Sequence, residues 1–373
     1  MAHLEVDNIR KVFDTPDGKE VAVEGVSFEA DDGEFVTLVG PSGCGKTTTL
    51  RCIAGLETPT SGKIRLDGRD ITELPPNKRD ISLMFQSIAL YPHMTVRENI
   101  AYPLKVDGVS KEKRKGPATE AAQTMQIEDM LDKMPGDLSG GQQQRAALAR
   151  TVVQDPGVFL MDEPLSDLDA KLKAETRKEI QRIHEKLNTP VVYVTHDQEE
   201  AMTMSDYIAV MNDGEIEQFD SPNNIFYRPN NLFVGQFIGQ HGMNVADAEV
   251  VRTDSGVSVA INEYEPDLRL ENPENLQDGQ VKLGFRPENT LLETDATEGI
   301  PGVVELIETF GEEAVVTVDI DRSEPLLAVI DSNRDLNEGA NVRAQIGRYA
   351  HVFDEETGDI LTHTMRGRKQ PAD

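Results

Sequence analysis

Lys46 and Thr47 close the run Gly40-Pro41-Ser42-Gly43-Cys44-Gly45-Lys46-Thr47-Thr48, which has the spacing G-x-x-x-x-G-K-T. Residues of these types in this order can hold phosphate. Glycines let successive backbone N–H groups turn inward around phosphate oxygens. A helix that follows adds the partial positive charge of its N-terminus. The lysine ammonium can reach the β- and γ-phosphates of a nucleotide, and the neighbouring hydroxyl can hold Mg²⁺. The plain alternative is a glycine turn that only caps a helix. Context separates the two, because a phosphate loop needs a strand before it and a helix after it. Phe35-Val36-Thr37-Leu38-Val39 is a short apolar run that reads as a buried strand, and Thr48 to Ala54 can wind as a helix that stops at Gly55.

Four more groups could join this chemistry. Gly157 to Pro164 is an apolar run that delivers Asp162 and Glu163 to its end. Beside a phosphate loop, the first acid can bind Mg²⁺, directly or through water, and the second can polarise an attacking water. His196 ends the apolar run Pro190 to Thr195, and Gln86 ends Ile81 to Phe85. Ligands of open parallel sheets bind beyond such strand ends, so Gln86 is placed to reach Mg²⁺ and water, and His196 to sense phosphate. Leu138-Ser139-Gly140-Gly141-Gln142 opens a helix that the composition carries to Val153, with Ser139 as N-cap and open N–H groups that suit an anion. Phe13, at the end of the strand Leu4 to Phe13, is a candidate ring for stacking adenine; a core phenylalanine is the alternative.

Composition bounds the setting. The chain has 373 residues, long enough for two domains, with 38% hydrophobic residues and no Trp. No apolar run approaches the ~18–20 residues of a membrane span, and the N-terminus does not resemble a signal peptide. A protein of the cytoplasm is expected, with any membrane part on another chain. Cys44 and Cys52 are the two cysteines, which argues against a disulfide framework. The net charge is −30, of which −13 falls in residues 1–239 and −17 in 240–373. Such a surface repels nucleic acid, and it self-repels unless salt screens it. A host with a salty cytoplasm is the expectation.

The elements that must position these residues follow from pattern. Val21 to Glu29 reads as a second strand, and Lys63 to Gly68 as a third. Residues from about 87 to 155 read mostly as helix, including Glu112 to Met130 apart from Gly116-Pro117. Ala170 to Leu187 is a charged amphipathic helix, Gln198 to Met204 a short one, and Tyr207 to Met211 with Gly214 to Phe219 a hairpin. The texture changes between Gly235 and Gly242. Beyond it come short strands at Val250-Val251, Val257–Ile261, Val281–Phe285, Gly302–Ile307, Ala314–Ile320, Leu326–Ile330 and Val342–Ile346, the pattern of a small barrel or sandwich. The basic tail Arg366-Gly367-Arg368-Lys369 reads as a frayed end. The expected architecture is an α/β P-loop NTPase domain at 1–239, with a helical subdomain at about 87–155, followed by an all-β, OB-fold-like domain at 240–373.

Together these motifs resemble the ATP-binding-cassette ATPases, whose order and spacing they follow. Pro75 to Asp80, Phe85 to Met94 and Thr195 to Met202 look like the maltose-importer type, the ATPase subunit of carbohydrate importers. Gly284-Phe285-Arg286-Pro287-Glu288 is similar to that group's barrel-like regulatory domain, of the TOBE or MOP kind. The resemblance implies a sandwich of two subunits, a second copy or a paralogue, around two ATP molecules. Each ATP would lie between one subunit's Gly40–Thr48 and the other's Ser139, Gly140, Gly141 and Gln142, with Asp169 a further nucleotide contact. Thr47, Gln86 and Asp162 would hold Mg²⁺, Glu163 would be the catalytic base, His196 would stabilise the γ-phosphate, and Gln86 would link the nucleotide to the permease groove near Ser87 to Asn99. Two transmembrane permease subunits and, indirectly, an external solute-binding protein would be partners at the cytoplasmic face of the membrane. Two positions depart from the usual pattern: Asp167 stands where Asn or Ala is common, and Phe13 where Tyr or Trp is. The solute expected is a sugar, with glycerol phosphate or a polyol as alternatives. A soluble cassette acting on DNA or ribosomes would carry a coiled-coil insertion or two cassettes, and a non-enzymatic binder would not need Lys46, Asp162, Glu163 and His196 together.

Overall fold

Apolar strands with both faces covered are what a parallel sheet needs, and the runs around the motifs form one. A computed structural model describes residues 2–365 apart from 17, 85–89, 167, 254–255, 322–323 and 348. Gln86 with the rest of residues 85–89, Asp167 and the basic tail therefore lie outside the described residues. The chain divides into two units, Met1–Pro222 and Asn223–Asp373.

The first unit begins with β1 (His3–Thr15), β2 (Gly18–Asp31) and β3 (Phe35–Val39), followed by α1 (Lys46–Ala54), β4 (Ser61–Leu66), β5 (Arg69–Asp70) and β6 (Ile81–Met84). A helical stretch holds α2 (Val96–Ile100), α3 (Tyr102–Val106), α4 (Lys111–Thr124) and α5 (Gly140–Val152). The chain then returns through β7 (Val158–Asp162), α6 (Ala170–Leu187), β8 (Val191–Thr195), α7 (Gln198–Met204), β9 (Tyr207–Asn212) and β10 (Glu215–Asp220). An antiparallel sheet runs β2-β1-β4-β5, and a six-stranded sheet runs β10-β9-β3-β8-β7-β6. In the latter, β9, β3, β8, β7 and β6 are parallel.

Alternation along the buried strands splits the core. On β7 and β8, Leu160, Val192 and Val194 join a cluster with Leu4, Val6, Leu50 and Ile53, beneath the antiparallel sheet. Phe159, Met161, Val191 and Tyr193 face the other way, into a cluster with Leu148, Ile180 and Ile183 of α5 and α6. Each such aliphatic side chain contributes roughly 1.5–3 kcal/mol on burial, so the sheet is the rigid member on which the loops sit.

Two local expectations change. The helix read over Glu112 to Met130 ends earlier, at Thr124, because the chain turns at Gln126, whose φ is +55°. It also runs through Gly116-Pro117 rather than breaking there. Both Pro117 and Lys113, whose carbonyl loses its partner, are exposed, so the orphan is open to solvent.

The second unit holds α8 (Pro222–Tyr227), α9 (Leu232–Phe237) and ten strands: β11 (Asn244–Thr253), β12 (Gly256–Ala260), β13 (Gln280–Phe285), β14 (Thr290–Glu293), β15 (Ile300–Phe310), β16 (Glu313–Asp319), β17 (Leu326–Asp331), β18 (Asn341–Ile346), β19 (Ala350–Asp354) and β20 (Ile360–His363). They form two five-stranded sheets, β12-β11-β13-β19-β20 and β14-β18-β15-β16-β17, around one apolar cluster that includes Leu283, Phe285, Val316 and Val352. The division after Pro222 falls earlier than the boundary read at 239/240. Arg286 accounts for it. Its buried guanidinium donates to the carbonyls of Phe226 (3.0 Å), Gly235 (2.9 Å) and Ile238, and lies over the Phe226 ring, which ties residues 223–239 to the β-rich unit.

Candidate nucleotide site

The parallel strands bring the sequence motifs to one edge. Val39 pairs in register with Thr195, and Asp162 with Val194, so β3, β8 and β7 end level with one another. The glycine loop follows β3, Asp162 and Glu163 follow along β7, and His196 follows β8.

The loop is built around close approaches. A Cβ at Gly40 would sit 2.2 Å from the Met211 carbonyl, and one at Gly45 would sit 2.4 Å from the Ala22 carbonyl. Gly45 also has φ +101°, which L side chains rarely adopt. Lys46 is buried and donates from Nζ to the carbonyls of Gly40 (2.7 Å) and Pro41 (2.8 Å). Its ammonium is thus held inside the loop that would surround phosphate. Cys44 is buried beside it, Sγ 3.7 Å from Nζ, and burial raises its thiol above the ordinary value despite the lysine. Cys52 is pushed up to about 11 by burial. Both thiols are free and protonated at neutral pH.

Thr47 Oγ1 donates to Asp162 Oδ1 at 3.1 Å. Burial pushes the Asp162 carboxyl up, against the pull of that bond and of Arg51. Glu163 then leaves the strand with φ +45°, an uncommon conformation for a non-glycine residue, fixed by its N–H on the Val194 carbonyl (2.9 Å) and by the Ser166 hydroxyl on its own carbonyl (3.0 Å). This turns its side chain to His196, whose Nδ1 lies 3.1 Å from Glu163 Oε2.

The remaining candidates are placed separately. Ser139 and Gln142 form a capping box at the start of α5: the Ser139 N–H donates to Gln142 Oε1 (3.0 Å) and the Gln142 N–H to Ser139 Oγ (3.4 Å). Among the described residues no hydrogen bond joins 139–142 to 40–48. Asp169 caps α6, accepting from the N–H groups of Lys171 and Leu172. Phe13 is half-buried on β1, with the Lys11 ammonium 4.8 Å from its ring centroid.

Sequence reasoning missed a set behind His196. Glu200, 2% exposed, accepts from Tyr193 Oη (2.6 Å) and Thr195 Oγ1 (2.8 Å), and Lys173 reaches Asp197 (3.2 Å) and Glu200 (3.5 Å). The signal was present: Tyr193 and Thr195 share one face of β8, and a carboxylate follows one turn into α7.

A parallel sheet with this loop and two carboxylates at its edge defines the P-loop NTPase class. The chain belongs to the ABC transporter family of ATPases: residues 23–166 match the family described as ABC transporter, and residues 283–353 match the TOBE domain. It is 43% identical to the xylose/arabinose import ATP-binding protein XacK of Haloferax volcanii over 97% of this chain and 96% of that one. The diacetylchitobiose uptake system ATP-binding protein MsiK of Streptomyces coelicolor is 42% identical, covering 97% and 100%. The sn-glycerol-3-phosphate import ATP-binding protein UgpC 2 of Agrobacterium fabrum is 41% identical, covering 96% and 94%. Among solved structures, the dimeric bacterial ABC transporter cassette MJ0796 superposes with a TM-score of 0.52 at 31% identity, over 59% of this chain and 98% of that one. The α/β fold and the all-β second domain are thus those expected. No helix among the described residues is long and apolar enough to cross a membrane.

Proposed function

We propose that this chain is the ATP-hydrolysing subunit of an importer, energising uptake of a sugar through separate transmembrane permease subunits. The observation that carries this reading is the pairing of Thr47 with Asp162 and of Glu163 with His196 on one sheet edge. The names of the relatives, import ATP-binding proteins for sugars, agree with it.

The residues fit the groups they would take. Glycine at Gly40 and Gly45 lets the loop pack against the Met211 and Ala22 carbonyls, and Lys46, which donates to the Gly40 and Pro41 carbonyls, stands inside it, where phosphate oxygens would take over those bonds. Phe13 would stack the adenine. Thr47 and Asp162 offer hard oxygens of the kind Mg²⁺ prefers, with Gln86 the proposed third. Bound Mg²⁺ supplies charge neutralisation at the phosphate oxygens. Glu163 then takes the proton of the attacking water, and His196 holds the Glu163 carboxylate in line and steadies the γ-phosphate. Ser139, Gly140, Gly141 and Gln142 come from a second copy or a paralogue, with Asp169 a further nucleotide contact. Their hydrogen bonds within this chain cap their own helices, and the similar cassette MJ0796 is described as dimeric. Closing the pair on ATP and releasing it on ADP shifts the permease subunits between two states, because the nucleotides bind those states with different affinity. The assembly lies on the cytoplasmic face of the membrane and receives solute from an external binding protein.

Phosphate release by the full chain tests the chemistry. Wild type turns over, and Glu163→Gln binds ATP with unchanged affinity while losing on the order of a hundredfold or more of its turnover. Near-wild-type turnover removes Glu163 from the role given to it. The UgpC 2 relative favours a second solute, glycerol phosphate. Uptake of labelled sugar against labelled glycerol phosphate, in cells with and without the chain, separates the two.

A further inference from the structure

We infer that Lys173 is a positioning residue that locks the His196 turn to helix α6 through Asp197 and Glu200, and so sets where the Glu163–His196 pair stands; this rests on the ATPase reading above. The geometry is a closed set of charged and polar contacts. Lys173 Nζ lies 3.2 Å from Asp197 Oδ2 and 3.5 Å from Glu200 Oε1. Asp197 follows His196 directly. Its other oxygen caps α7, accepting from the N–H groups of Glu199 (2.9 Å) and Glu200 (3.3 Å), and its own N–H donates to Thr195 Oγ1 (3.0 Å). Glu200 holds both polar groups of β8 that face it, Tyr193 and Thr195. The residues on either side of His196 are therefore fixed, and the ammonium that reaches both carboxylates comes from another element, where Arg177 also lies within electrostatic reach of them.

That element matters. Lys173 sits one turn into α6, four residues after the cap at Asp169, and its backbone N–H donates to the Asp169 carbonyl (2.8 Å). The segment entering α6 begins at Glu163, whose carbonyl is held by Ser166. One side chain thus ties α6 to the His196 turn. Two further contacts from the same face of α6 reinforce the line: Arg177 to Glu199 (2.7 Å) and Gln181 to the Thr203 carbonyl (3.1 Å). These end on exposed groups of α7, although the Arg177 side chain is itself no more exposed than Lys173. Glu200 is buried, so its charge cannot be left to water. Lys173 is the residue whose loss would let the turn move.

A shift of under an ångström at a base can cost one to two orders of magnitude in rate without changing substrate binding. The test uses the full chain. Lys173→Met is expected to lower kcat about tenfold while KM for ATP stays within about twofold, and Lys173→Arg restores kcat. In the Glu200→Gln background, Lys173→Met costs markedly less, because the two act through one contact. The His196 C2–H resonance, assigned with His196→Gln, moves in Lys173→Met and returns in Lys173→Arg. Unchanged kcat in Lys173→Met overturns the inference, as does a loss that Lys173→Arg fails to rescue. If wild type binds ATP but hydrolyses none, the ATPase reading fails instead. The His196 resonance then decides alone: a shift reversed by Lys173→Arg upholds the positioning role, and an unmoved resonance refutes it.

Discussion

Lowering the pH is expected to weaken the second unit through two packed histidines, of which His351 is the more buried. His351 on β19 is 5% exposed, and its Nδ1 lies 2.8 Å from Nδ1 of His363 on β20. Such a contact holds one hydrogen, so one of the two nitrogens accepts and its ring is neutral. Burial, then charge at His363, Arg286 and Arg228, holds His351 down to about 3, against an ordinary value of 6.5. The unfolded chain therefore takes up a proton below 6.5, while the folded chain does so only near 3. Across that window the unfolded state binds more protons, so stability rises with pH. The contribution is full above 6.5 and is lost progressively as the pH falls toward about 3. From about pH 7 to about pH 5 the part lost through His351 is about 2 kcal/mol, beside that of His363, which burial and the Arg228 charge hold down to about 4. Urea unfolding at the two pH values, followed by the histidine resonances of β19 and β20, measures it in wild type and in His351→Gln. Wild type should lose about 2 kcal/mol more than the variant. Equal losses, or a folded-state His351 resonance that titrates near 6.5, would refute the reasoning.

Other consequences follow from the same contacts. Alkylation of Cys44 should be slow, because the thiol is buried and raised, and each modified molecule should lose ATP binding, since added bulk would fill the loop. Unchanged affinity after modification confirmed by mass would place the nucleotide elsewhere. The net charge of −30 should make the melting temperature rise as KCl goes from about 0.1 M to about 1 M, as the Debye length shrinks from about 10 Å to about 3 Å. A melting temperature that peaks at low salt and falls steadily toward molar KCl would end the salty-host expectation.

The sheet and its edge were legible in the sequence for a physical reason. A parallel sheet demands uninterrupted apolar strands, and Phe35–Val39, Val158–Asp162 and Val191–Thr195 stand out against a charged chain. Lys46 was picked out by the spacing of its loop, and Asp162, Glu163 and His196 by their place at the ends of those strands, which the structure brings to one edge. The helix Ala170–Leu187 was equally plain from its charged, amphipathic pattern. What failed to show was local or tertiary. Pro117 looked like a break, yet an exposed helix face leaves the orphan carbonyl open to solvent. The strands β14, β19 and β20 lie in short or mixed segments, and their pairing partners supply what their own sequence does not. Lys173 is an ordinary helix lysine until the fold puts Asp197 and Glu200 beside it.

The central claim is that two copies close on ATP, with Ser139 to Gln142 of one facing the glycine loop of the other. Light scattering of Glu163→Gln in about 1 M KCl, where charge repulsion is screened, with and without Mg-ATP, tests it most directly. A monomer that becomes a dimer when ATP is added is the expected result. A chain that binds ATP to saturation yet scatters as a monomer would contradict it.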